Sequence, residues 1–168
     1  MSEYLRNVWY MAAWADELPD GGVLSRRLLD RLWLLYRLSD GSVAMMEDRC
    51  PHRFVALSKG SRDGDRIVCG YHGLGFDAQG QCVHSPFPGV SPQASVATMP
   101  AVERHRGIWF WPGDPALADP ATIPDFAYLD GDRPAQRGHL VLHGNYELVT
   151  GYLLDLPLPR LLHRQITG

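Results

Sequence analysis

The chain has 168 residues, 45% of them hydrophobic and 21% charged, with 16 Lys and Arg against 19 Asp and Glu for a formal net charge of -3. That is room for one domain and the start of another, with enough apolar content for a real core and no bias toward disorder. The scattered basic residues leave no nucleic-acid footprint, and runs such as LWLLY at 32–36 are far too short to span a bilayer, so neither nucleic acid nor a membrane is expected as a partner.

The opening MSEYLRNVWY lacks the charge-then-apolar layout of a signal peptide, which points to a cytoplasmic location. Short β-rich runs follow: VLSRRLLD (23–30), RLWLLYRL (31–38) and VAMMED (43–48), with SDGS (39–42) as a turn. Turn signals recur at DGD (63–65) and AQGQ (78–81), and GIWFWPG (107–113) reads as an aromatic strand covered on both faces. The pattern predicts an antiparallel β-domain built from hairpins. Residues 114–134 then shift in composition, with prolines at 115, 120, 124 and 134 that exclude a long helix and mark an extended linker. Beyond it HLVLHGNYELV (139–149) reads as a strand and GYLLDL (151–156) begins a helical pattern running into Pro157 and Pro159. The expected division is 1–113 as the β-domain, 114–134 as linker and 135–168 as a segment too short for its own core.

Within the β-domain, CPHRFVALSKGSRDGDRIVCGYH (50–72) holds two of the three cysteines and two of the seven histidines. They form Cys50-x-His52, sixteen residues, then Cys69-x-x-His72. Two thiolates and two imidazoles suit tetrahedral zinc, though the single residue between Cys50 and His52 is shorter than zinc pairs usually have. They also suit a Rieske-type [2Fe-2S] centre, with two cysteines on one iron and two histidines on the other. Two ferric ions, two sulfides and two thiolates sum to zero, so such a cluster accepts an electron more easily than one held by four thiolates. Its potential falls at roughly −150 to +300 mV. Each loop would direct a thiolate inward and an imidazole outward, making His52 and His72 the exit for the electron. Cys82 reads as a small buried hydrophobe. Tyr71 either shields the centre or packs, and Arg53 either bonds loop carbonyls or faces solvent. Pro51 fixes the loop's φ, and Gly70 and Gly73 let backbone approach the sulfides. His84, His105, His139 and His143 have no ligand partner at useful spacing.

These motifs, with the flanking EDRCPHR, CGYHGLGFDAQGQCV, NVWYMAAWADEL and VERHRGIWFWPGDPALADP, resemble the oxygenase subunits of Rieske non-haem iron oxygenases. The similarity is strongest to the vanillate O-demethylase and phthalate dioxygenase type. Respiratory Rieske proteins match less well, because the second, disulfide-forming cysteine of each loop is absent. Leu74 stands where that family has a serine donating to a sulfide, which predicts a potential at the low end of the range.

The resemblance implies a mostly β fold, a Rieske [2Fe-2S] antiparallel β-sandwich followed by a short remnant of an α/β catalytic domain. It also implies a flavin or iron–sulfur reductase as electron donor, and a homo-trimer or association with a complete oxygenase subunit. The family's mononuclear iron pattern, Asp-x-x-His-x-x-x-x-His, aligns Asp155 and His163 with its first and last members, but Leu158 takes the place of the first His. Mononuclear Fe(II) is therefore not expected on this chain, with His163 a doubtful remnant of that site. Asp155 is a candidate electron bridge between subunits or a solvated residue near a helix end. The expected function is one-electron transfer in a protein related to aromatic-ring oxygenases and O-demethylases. An inactive truncated subunit, an auxiliary subunit and a structural zinc module stay open as alternatives.

Overall fold

The computed structural model describes residues 4–87, 94–131, 138 and 140–155. Its architecture is mostly antiparallel β. The central element is a meander of β2 (Val23–Leu28), β3 (Arg31–Arg37) and β4 (Val43–Glu47). Registers such as Leu34↔Met46 and Tyr36↔Ala44 place like faces opposite one another. Because alternate residues of a strand face opposite sides, β3 feeds two separate cores. Leu34 and Tyr36 join Ala44 and Met46 on one side, while Trp33 and Leu35 join Val43 and Met45 on the other. This explains why RLWLLYR reads as a continuous apolar run: residues 33–36 are all buried. Each such large side chain contributes roughly 1.5–3 kcal/mol on burial.

One side of this sheet is covered by β1 (Tyr10–Trp14), β9 (Ala101–Arg104) and β10 (Gly107–Phe110), which donate Ala12, Ile108 and Phe110 to the shared core. The aromatic strand is buried throughout Gly107–Phe110, as its alternating apolar pattern predicts. The other side is covered by β5 (Ser61–Asp63), β6 (Arg66–Val68), β7 (Gly75–Phe76) and β8 (Cys82–His84), through Ile67, Phe76 and Cys82. The expected turns at SDGS, DGD and AQGQ are present, with Gly41, Gly64 and Gly80 all at positive φ. Two further hairpins turn without glycine. Leu29–Asp30 joins β2 to β3 and His105–Arg106 joins β9 to β10, each with both residues at positive φ, the twist that two-residue hairpins favour.

Residues 114–131 contain three 3-10 turns and no long helix. They lie against the β-domain. Trp9 Nε1 donates to the Asp119 carbonyl at 3.0 Å, Phe126 stacks on Trp109 with ring centroids 5.8 Å apart, and Ile123 is buried. His105 Nε2 accepts from Arg104 Nε at 3.1 Å, which leaves Nδ1–H to donate to Asp130 at 2.7 Å. Contacts divide the chain into Met1–Arg133 and Pro134–Gly168.

In the second unit the strand expected over 139–149 is not formed by its described residues, 140–149. Its place is taken by α1 (Tyr146–Leu154), which starts five residues before the helical pattern expected from Gly151. The Asn145 side chain accepts from the Glu147 N–H at 2.8 Å, and this N-cap together with Glu147 in the first turn outweighs the β propensity of Tyr and Val. Leu140, Leu148 and Leu154 are 76%, 75% and 74% exposed.

Two predictions follow from these environments. Burial pushes the Tyr36 phenol up to about 12 from an ordinary 10.0, helped by Asp65 and Asp77 and opposed by Arg62. The folded chain favours the neutral phenol, so this contribution holds below pH 10 and is lost as pH rises toward 12. Tyr36→Phe should flatten that alkaline slope in denaturant titrations while losing about 1 kcal/mol at neutral pH with the 3.1 Å bond to the Asp65 carbonyl. The exposed apolar residues of 140–154 should bind a hydrophobic dye, and Leu148→Glu with Leu154→Glu should reduce the fluorescence; an unchanged signal would locate the dye elsewhere.

Candidate metal centre

The two Cys/His loops share one backbone frame. In the first, which follows β4, Cys50 N–H donates to Val55 O at 2.8 Å and Phe54 N–H to Cys50 O at 2.8 Å. In the second, the tip of the β6–β7 hairpin, Cys69 N–H donates to Leu74 O at 2.8 Å and Gly73 N–H to Cys69 O at 2.9 Å. The fifth residue of each loop lies in the left-handed region, with Phe54 at φ 60 and Gly73 at φ 74. Glycine meets that requirement freely in the second loop. Phe54 meets it at a steric cost, with its ring exposed and the Arg49 guanidinium 3.9 Å above it.

Both thiols are 2% exposed and belong to one core cluster, together with Leu57 and Leu74. Burial pushes the Cys50 thiol up. The His52 backbone N–H opposes this, the Cys69 thiol beside it adds to the rise, and the Arg53 N–H opposes it further. A thiolate at Cys50 is thus disfavoured unless a cation lies nearby. A bound metal would supply that cation, and the His52 and Arg53 amides already donate to the sulfur. The imidazoles form a second pair, with His52 and His72 ring centroids 4.7 Å apart, His52 exposed and His72 half-buried. Thiols thus pair inside and imidazoles outside. Among the described residues no three His, Cys, Asp or Glu side chains converge on a single ion position. A donor set split into two pairs fits a cluster with two chemically different irons.

Neighbouring residues divide by role. Tyr71 is exposed and lies 3.9 Å from the His72 ring, so it covers an imidazole and does not pack in the core. Phe87, whose part the sequence did not signal, presents an edge to the same ring at 6.2 Å. Arg53 is exposed. A Cβ on Gly70 would meet Lys59 O at 2.9 Å, so its bareness serves the contact with the 59–60 backbone. Gly60 faces it, and a Cβ there would meet Val68 O at 2.0 Å. Cys82 sits in the core, its thiol donating to His84 O at 3.5 Å, while His84 and His143 are exposed. Asp155 caps the C-terminus of α1 by backbone bonds to Gly151 O and Tyr152 O, and its side chain is exposed. His163, Leu158, Pro157, Pro159 and His139 lie outside the described residues.

A family description of the Rieske [2Fe-2S] domain matches residues 8–100, more than half of the chain and both loops. The chain belongs to the Rieske [2Fe-2S] family. Its relatives bear out the resemblance to oxygenase subunits of demethylases. It is 45% identical over 95% of its length to the oxygenase component of chloroacetanilide N-alkylformylase from Rhizorhabdus wittichii, and covers 47% of that protein. It is 46% identical over 96% of its length to the oxygenase component of dicamba O-demethylase from Stenotrophomonas maltophilia, covering 48% of it. The crystal structure of dicamba monooxygenase bound to dicamba superposes with a TM-score of 0.85 at 45% identity, over 97% of this chain and 49% of that one. The Rieske chain therefore spans about half the length of these relatives. No helix among its described residues is long and apolar enough to cross a membrane.

The backbone contact beneath the loops yields a sharp prediction. Gly60→Ala should cost about 3 kcal/mol or more, the range of severe backbone misfit. It should lower Tm and yield protein without bound iron; wild-type Tm and iron content would refute the contact.

Proposed function

We propose that the Rieske chain carries single electrons within an oxygenase system of the demethylase type, using a [2Fe-2S] cluster held by Cys50, Cys69, His52 and His72. The observation that supports this most directly is the sorting of the four donors, thiols paired in the core and imidazoles paired at the surface. When bound, the cluster accepts one electron and gives it up again. Cys50 and Cys69 would hold one iron from a wall of Leu57 and Leu74 that keeps water away. His52 and His72 would hold the other iron, and their position at the surface would give a partner access to it. Tyr71 and Phe87 cover part of the His72 face and leave His52 the more open of the two.

The donor is a reductase component, since relatives of this chain are themselves named as oxygenase components of multi-component systems. The acceptor is a mononuclear iron site on a complete oxygenase subunit with which this chain associates; Asp155, at the C-terminus of α1, is a candidate bridging carboxylate toward a neighbouring subunit's cluster. An aromatic ether or amide of the kind named for the relatives is the substrate class that such an assembly would take. Dioxygen activation is assigned to the assembly and not to this chain alone, because Leu158 replaces a histidine ligand in the pattern that includes His163. The cytoplasm is the compartment in which two unpaired thiols stay reduced for cluster assembly.

Anaerobically purified chain reduced with dithionite should give a Rieske-type EPR signal, with about two irons and two sulfides per chain. Cys50→Ser and Cys69→Ser should remove the signal and the sulfide together. A colourless chain carrying zinc, or no metal, would reject the assignment.

A further inference from the structure

The buried carboxylate of Asp48 has no part in the ligand set, yet it stands two residues before Cys50 and is only 4% exposed. It accepts from Ser25 Oγ at 2.7 Å, from the Ser58 N–H at 2.7 Å and from Ser58 Oγ at 2.6 Å. Its own N–H donates to Leu32 O at 2.9 Å. Among the described residues it forms no ion pair. A buried carboxylate held only by neutral donors is costly unless its hydrogen bonds are well made, and these are short and charge-assisted.

Its contacts run in two directions. Toward the scaffold, Ser25 and Leu32 root it in β2 and β3. Toward the centre, it grips Ser58 in the 3-10 turn Leu57–Lys59, whose Leu57 shares the core with Cys50 and Cys69. That turn carries Lys59 O and Gly60 against Gly70, the residue after Cys69. One side chain is thus connected to both loops, directly through the chain to Cys50 and through Ser58 and Gly60 to Cys69. We propose that Asp48 is a positioning residue for the metal centre, fixing the separation of the two cysteine loops. This rests on the cluster assignment made above.

The test uses the full 168-residue chain loaded with iron and sulfide. Wild-type protein is measured first; absence of a Rieske-type EPR signal would overturn the cluster assignment and this inference with it. With that signal present, Asp48→Asn should shift the g values and speed iron loss to a chelator several-fold, since the grip on Ser58 is weakened. Ser58→Ala keeps the charge and loses one link to the turn. It should shift the g values and speed iron loss to a chelator in the same direction, by less. If Asp48→Asn does not accumulate as folded protein, the g values and iron-loss rate of Ser58→Ala decide. Variants that only melt earlier, with wild-type g values and iron-loss rate, would reduce Asp48 to an ordinary structural hydrogen bond and overturn the inference.

Discussion

Burying Cys50 against Cys69 in an apolar wall disfavours the Cys50 thiolate, and the organisation around the Rieske loops follows from that constraint. Burial and the neighbouring Cys69 raise the Cys50 thiol, so on the proposed cluster assignment a metal would bring the compensating charge. The opposing amide N–H groups of His52 and Arg53 depend on the loop keeping its shape. That shape is set by the backbone bonds from Cys50 and Cys69 to the fifth residue beyond each, and by the bare contact of Gly60 with Gly70 below. A loop shifted by even a methyl group would misplace the sulfur and the amides together.

The central sheet links this corner to the rest of the molecule. Leu34, Tyr36, Ala44 and Met46 support the loops, and the alternate residues of the same strands hold the sheet of β1, β9 and β10. Neither core can loosen without moving β3 and β4. The 114–131 segment adds to the far side through Trp9, Phe126 and His105, so a stretch with the composition of a linker contributes to the stability of the β-domain.

What could be read from the sequence was whatever a short local pattern dictates. The Cys/His spacing, the Asp-Gly turns and the apolar alternation of residues 31–38 each state their geometry within a few residues. The Leu29–Asp30 and His105–Arg106 turns were not legible, because their positive φ angles are imposed by the twist of the paired strands and not by glycine. The helix at 146–154 was misread as beginning with a strand, because its apolar residues surround the axis and give no amphipathic period, leaving the Asn145 cap as the only local sign. Asp48 sits between Glu47 and Arg49 and looks like surface charge; its partners, Ser25 and Ser58, come from segments distant in the chain. The need for Gly70 was visible, but its physical reason was not, since the atom it avoids belongs to Lys59.

The two loops repeat one hydrogen-bonded frame, yet their histidines occupy different places in it, third in one and fourth in the other. An approximate twofold relation in the backbone is therefore broken by the side chains. One imidazole stands open and the other is flanked by two aromatic rings. The tip accordingly has a front and a back, and a visiting protein that docks by shape can distinguish them. On the proposed assignment, a symmetric frame carrying asymmetric side chains would give the centre two inequivalent doors, so that arrival and departure of charge need not share one.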